Sequence, residues 1–192
     1  TIGNAGATSF FPSKNLGCYG DGGAIMTNDD GLAAKIKMIV NHGQSKRYYH
    51  DSIGVNSRLD SLQAAVLKVK LKYLDDYNSV RRTVADRYDL AFSQCDKITV
   101  PLRSSFSTHV FHQYTIKLSD GVNRDGLNAF LAQRSIPSMI YYPVPNHLQK
   151  AYTYFGYTEG DFPITEDLCS RVISFPIHTE MDEEQQGVII EA

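Results

Sequence analysis

Between Ser57 and Tyr88, apolar residues return at gaps of three and four: Leu59, Leu62, Val66, Val69, Tyr73, Tyr77, Val80, Val84 and Tyr88. That spacing keeps one face of an α-helix apolar for about thirty residues. Few globular domains hold a single helix of that length. The chain therefore either passes from one domain to another along this helix, bending near Asp75 to Ser79, or packs it as two helices in one core. Ser57, followed three residues later by Asp60, predicts a capping box at its start.

The flanking sequence alternates. Gly3 to Gly23 is glycine-rich and reads as loop and short strand, and Gly23 to Thr27 as a buried strand. Asp30 can cap a helix whose apolar positions Leu32, Ile36 and Ile39 to Val40 share one face, and Gly43 then stops it. After Pro101, strands are expected over Val110–Leu118, Pro137–Tyr142 and Val172–Phe175. Helices are expected after Asn123, over Thr165–Arg171 and over Asp182–Ile190. This is an α/β layer arrangement.

Composition removes several function classes. With 19 Lys plus Arg against 21 Asp plus Glu, the net charge of −2 provides no footprint for nucleic acid. No apolar run is long enough to span a membrane, and the first residues lack the apolar core of a signal peptide. Cys18, Cys95 and Cys169 are odd in number and widely spaced, which argues against a disulfide framework or zinc site and for a reducing, cytoplasmic setting. His109 and His112 would point to opposite faces of a strand, so no metal pair is expected.

The segment Ser9-Phe10-Phe11-Pro12-Ser13-Lys14-Asn15-Leu16-Gly17-Cys18-Tyr19-Gly20-Asp21-Gly22-Gly23 sets one lysine between aromatic residues and glycines. A desolvated lysine loses its proton more readily, and only the neutral amine attacks a carbonyl to form a Schiff base. Glycines let backbone approach a flat cofactor closely. Neither phosphate-binding glycine signature, GxxxxGK[ST] or GxGxxG, is present. His147 is a candidate for substrate contact, whereas His42, following a helix, reads as structural.

The lysine block resembles that of the DegT/DnrJ/EryC1/StrS family of sugar aminotransferases. Four further blocks agree in order: Gly54-Val55-Asn56-Ser57-Arg58 through Gln63-Ala64-Ala65, Phe111-His112-Gln113-Tyr114, Tyr141-Tyr142-Pro143 with His147-Leu148-Gln149, and Ser174 to His178. The resemblance implies an α/β, type I pyridoxal-phosphate transferase fold. Residues 1–75 would be the C-terminal part of the large domain and residues 76–192 the small C-terminal domain, joined by the long helix.

It further implies pyridoxal 5'-phosphate bound covalently at Lys14, which would also shuttle the proton. Ser9 would hydrogen-bond the cofactor phosphate, as would Asn56 from the neighbouring subunit of a homodimer. Arg58, Tyr141 and Tyr142 would lie against a nucleotide-sugar substrate, with glutamate as amino donor. Asn56 and Arg58 are expected at the start of the long helix, where the dipole favours anions. Ser9 can equally be a turn residue, Asn56 a cap, and the tyrosines core aromatics. The family's acid for the pyridine nitrogen lies upstream of its lysine, so this chain alone is expected to be inactive. A pyridoxamine-dependent sugar dehydratase is the enzymatic alternative, although such relatives replace the lysine. A non-catalytic or regulatory module is the other.

Overall fold

The computed structural model describes residues 2–192. Contacts divide the chain into two compact units, the first ending at Asp76 and the second beginning at Tyr77.

In the first unit, β1 (Gly6–Ser9) and β2 (Gly23–Met26) pair antiparallel, with Gly6 opposite Met26 and Ser9 opposite Gly23. The lysine segment is the loop between them. Next comes α1 (Asp30–Ile39), capped one residue earlier than expected: the Asp29 carboxylate accepts from the Leu32 N–H at 2.9 Å. Asp30 instead occupies the first turn, where a negative charge also suits the helix dipole. Beyond α1, Gly43 takes a φ of +71°, and a Cβ there would lie 1.8 Å from the Ser52 carbonyl oxygen. Gly54 is the opposing surface, since its Cβ would fall 2.0 Å from the Gly43 nitrogen. Two short paired strands, β3 (Gln44–Lys46) and β4 (Tyr49–His50), lie between those glycines.

The long helical stretch exists as α2 (Ser61–Lys70), a 3-10 turn over Leu71–Tyr73, and α3 (Leu74–Phe92). Its break precedes the bend expected near Asp75 to Ser79, and its start is Ser61, not Ser57. The capping box does not form. Asp60 is the N-cap residue but makes no side-chain cap bond. The backbone before it pairs instead with the chain after α1: Val55 N–H donates to Ile39 O at 2.8 Å and Ser57 N–H to Val40 O at 3.0 Å, and Asn41 bridges Asn56. Asn56 and Arg58 are thus held by this pairing and not by a helix terminus, so the dipole argument made for them does not apply.

The second unit is built around a three-stranded antiparallel sheet, ordered β5 (Ile98–Thr99), β6 (Tyr114–Leu118), β7 (Val172–Phe175). Along β6, Tyr114, Ile116 and Leu118 alternate inward. They form one cluster with Val84, Ala85, Tyr88 and Phe92 of α3 and with Leu131 of α4 (Arg124–Gln133). Tyr88 is its aromatic centre, 4.8 Å from the Tyr114 ring and 5.4 Å from Phe92. Burial of rings at this density supplies the main stabilisation. Their hydroxyls are satisfied: Tyr88 donates to Pro176 O at 3.0 Å and Tyr114 to Asp89 at 2.7 Å. Burial raises both phenol pKa values. α5 (Pro163–Arg171) runs directly into β7, and Asp182 caps α6 (Glu183–Glu191).

Two expected strands are shorter than predicted. The one placed over Val110–Leu118 begins only at Tyr114. Phe111 has a φ of 43°, and Arg81 Nη1 donates to the carbonyls of Phe111 at 3.0 Å and of His112 and Ile177 at 3.2 Å. Those acceptors are unavailable to a ladder. His109 and His112 consequently lie outside any strand, and His109 Nδ1 accepts from the Phe111 N–H at 2.9 Å. Pro137–Tyr142 reduces to one bridge between Met139 and Ser174, because Tyr142 turns the chain at a φ of 55°. Among the described residues, no helix is long and apolar enough to cross a membrane, and no cluster of three or more potential metal ligands occurs.

Candidate active site

The lysine loop is closed by its own backbone. Phe10 N–H donates to Gly22 O at 2.7 Å, Cys18 N–H to Phe10 O at 2.8 Å, and Lys14 N–H to Phe11 O at 2.9 Å. The buried Cys18 thiol lies 3.0 Å from the same Phe10 carbonyl and from that of Gly20. Gly17 must be glycine, since a Cβ would approach the Pro12 carbonyl oxygen to 2.5 Å. α2 braces the loop from one side. Gln63 Oε1 accepts from the Tyr19 N–H at 2.7 Å, and Lys70 Nζ donates to Gly17 O at 2.7 Å. Lys14 itself is half-buried, and its amine engages no other described residue.

Ser9 ends β1 with its hydroxyl accepting from the Phe11 N–H at 3.2 Å, which leaves the hydroxyl proton to donate elsewhere. Asn56 Oδ1 accepts from Arg58 Nε at 3.1 Å, leaving the amide NH2 free to donate. Asn56 and Arg58 are both exposed and line an open hollow of about 610 Å³ together with Thr8, Gly22 and Gly23. Lys14 and Ser9 are not among its lining, so the hollow gathers only part of the expected site residues. The donors suit a phosphate: the Ser9 hydroxyl where the lysine loop leaves β1, and the Asn56 amide beside the Arg58 guanidinium. The residues present therefore fit pyridoxal phosphate.

In the second unit the Tyr141 and Tyr142 rings lie 6.5 Å apart and open onto different hollows. Tyr141 lines a hollow of about 270 Å³ with His112 and His178, whereas Tyr142 lines one of about 400 Å³ with His147 and Phe162. Tyr142 is 76% exposed and precedes Pro143, a position at which a left-handed backbone is doubly disfavoured. Such strain in a projecting aromatic residue is a feature of functional positions. The His147 side chain is only 8% exposed, with Nε2 2.8 Å from Glu166 Oε1. The Glu166 carboxylate also accepts from the Gly160 N–H at 2.9 Å and the Phe162 N–H at 3.2 Å. These bonds, Gly160 foremost, hold its pKa below the ordinary carboxylate value.

Sequence reasoning passed over Gln63, Lys70 and Glu166. Gln63 stands inside a quoted block, yet its partner is 44 residues away and no spacing rule connects them. Lys70 and Glu166 carry no local signal at all.

The model of the DegT/DnrJ/EryC1/StrS aminotransferase family matches residues 1–192. The chain belongs to this family. Among DegT/DnrJ/EryC1/StrS relatives, a Geobacillus stearothermophilus protein named a pleiotropic regulatory protein is 45% identical over 192 residues, 99% of this chain and 51% of its own. A Pseudomonas aeruginosa UDP-2-acetamido-2-deoxy-3-oxo-D-glucuronate aminotransferase is 42% identical over 91% of this chain and 47% of its own. A crystal structure of a DegT/DnrJ/EryC1/StrS aminotransferase from Brucella abortus superposes with a TM-score of 0.87 at 44% identity, covering 98% of this chain and 50% of that one. The chain thus spans about half the length of the relatives it matches. The family and the α/β fold expected from the sequence are both found.

Proposed function

We propose that this chain supplies the catalytic lysine and the small domain of a pyridoxal-phosphate-dependent aminotransferase. The amino group would pass from glutamate to a keto-sugar carried on a nucleotide, giving 2-oxoglutarate and an amino sugar. Residues 1–75 would belong to the large cofactor domain and residues 76–192 to the small one. The observation that carries this reading is Lys14: half-buried, unengaged, and presented by a loop that backbone bonds, Gln63 and Lys70 hold in shape.

Pyridoxal phosphate, when bound, withdraws electrons from the carbon bearing the transferred nitrogen and so makes its proton labile. Lys14 Nζ would take that proton from the donor carbon and return one to the sugar carbon. Ser9 would donate its hydroxyl proton to the phosphate. Asn56 and Arg58 would serve the corresponding site of a second copy, which makes a homodimer part of the reading. Tyr141 and Tyr142 would cover the sugar and exclude water, with His147 fixing their surroundings from behind. The Pseudomonas relative, whose name specifies a UDP-sugar substrate, supports the nucleotide-sugar class.

Borohydride reduction of the protein in its full natural length, loaded with pyridoxal phosphate, tests the assignment. Peptide mapping should place a pyridoxyl group on Lys14, and glutamate should yield 2-oxoglutarate before reduction. Cofactor retained with Lys14 unmodified would favour a dehydratase or a regulatory protein instead.

A further inference from the structure

Beyond Tyr142 the second unit carries aromatic rings that the proposed chemistry does not use. The 3-10 turn Lys150–Phe155 and the bend after it hold Tyr152, Phe155 and Tyr157 at 42%, 58% and 50% exposure. The rings run in sequence: Phe155 to Tyr157 at 6.4 Å, Tyr157 to Phe162 at 5.0 Å, and Phe162 to His147 at 4.7 Å. Together with Asn146 they surround an open hollow of about 290 Å³. It shares Asn146, His147 and Phe162 with the hollow that reaches Tyr142.

The wall formed by His147 and Phe162 is fixed from behind. His147 is held by Glu166, and the same carboxylate pins the Gly160 and Phe162 N–H groups, so Phe162 is ordered before any ligand arrives. A preorganised aromatic wall binds without the cost of ordering its side chains. No lysine or arginine lines the hollow, so it offers a phosphate or carboxylate no cationic partner. Its chemistry is π-faces plus the one exposed side-chain amide of Asn146. A flat heteroaromatic ring uses both: it stacks on the walls and pairs its polar edge with the amide.

The geometry points to this hollow as the seat of a nucleobase. A base of the uracil type, with adjacent carbonyl and N–H groups, matches the acceptor and donor of Asn146. Its ribose and phosphates would run past His147 and Phe162 toward Tyr142. The inference rests on the nucleotide-sugar reading for the identity of the ligand and on the rings for its place.

Calorimetric titration of the protein in its full natural length with UDP and with inorganic pyrophosphate tests it. UDP should bind at least about tenfold more tightly than pyrophosphate. Phe155→Ala and Tyr157→Ala should each weaken UDP about tenfold and leave pyrophosphate unchanged. Equal affinity for the two ligands, or unchanged UDP affinity in both variants, overturns the inference. Should the variants not fold, saturation-transfer NMR on the unaltered protein decides: the uracil H5 and H6 should receive saturation from aromatic protons, and transfer confined to the ribose overturns it. If the rings instead join two copies, the variants dissociate with UDP affinity intact, which also overturns it. The conversion of glutamate to 2-oxoglutarate needs no nucleotide. Its success without UDP binding sinks only the base site, and UDP bound through the rings without it sinks only amino transfer.

Discussion

Lys70 Nζ and the Gly17 carbonyl oxygen lie 2.7 Å apart, tying α2 to the loop three residues beyond Lys14. The bond spans 53 positions of sequence and ends on a backbone that accepts no side chain at Gly17. Lys70→Ala should leave the fold intact and weaken pyridoxal phosphate by about 1 kcal/mol, roughly fivefold, through a looser loop. Absorbance titration with the cofactor would show this, and unchanged affinity would mean that Gln63 alone suffices.

Lys14→Ala should retain native circular dichroism and lose turnover by at least about a hundredfold, since proton transfer at the sugar carbon depends on that amine. Lys14→Arg should do no better, because a guanidinium stays protonated. Release of 2-oxoglutarate from glutamate measures both, and surviving turnover would remove Lys14 from the chemistry.

Arg81 holds three carbonyls with one nitrogen, and burial lowers its pKa without unseating its charge. Arg81→Met should unfold the second unit about 2 kcal/mol more easily, because the Phe111 and His112 carbonyls lose their donor. Urea titration reads the shift. A difference below about 0.5 kcal/mol would mean water replaces the guanidinium.

Glu166 ionises below its ordinary value of 4.5 in the folded protein, through the Gly160, Phe162 and His147 bonds. A lowered folded pKa gives stability that is complete above the unfolded value and drains away as the pH falls through the folded one. Denaturant midpoints should therefore decline on acidification below about pH 4.5, and Glu166→Gln should flatten part of that decline. Identical acid slopes in the two proteins would contradict the assignment.

Elements with strong local chemistry were legible in the sequence. β7 lies where Val172–Phe175 was predicted, and Asn123 caps α4 as its position before an apolar run implied. The helical reading also held from Ser61 to Phe92, with burial enforcing it at Val84 and Tyr88, whereas Leu62, Val69 and Tyr73 of the same stripe stay exposed. Two of the failures share one cause: a distant partner took over groups that a local rule needed. Backbone pairing with Val40 and Asn41 displaced the Ser57 cap, and Arg81 claimed the carbonyls of a would-be strand at Phe111 and His112. The candidate site was legible as a set of residues and not as an arrangement. Lys14 and Asn56 sit in different surroundings, and His147 faces Glu166.

Gly43 and Gly54 meet backbone to backbone, so neither can be altered with the other left to compensate. A library randomising both codons together should return only the parental pair after selection for folded protein. That joint intolerance makes the contact a compact signature for judging whether a more divergent sequence closes its chain in the same way.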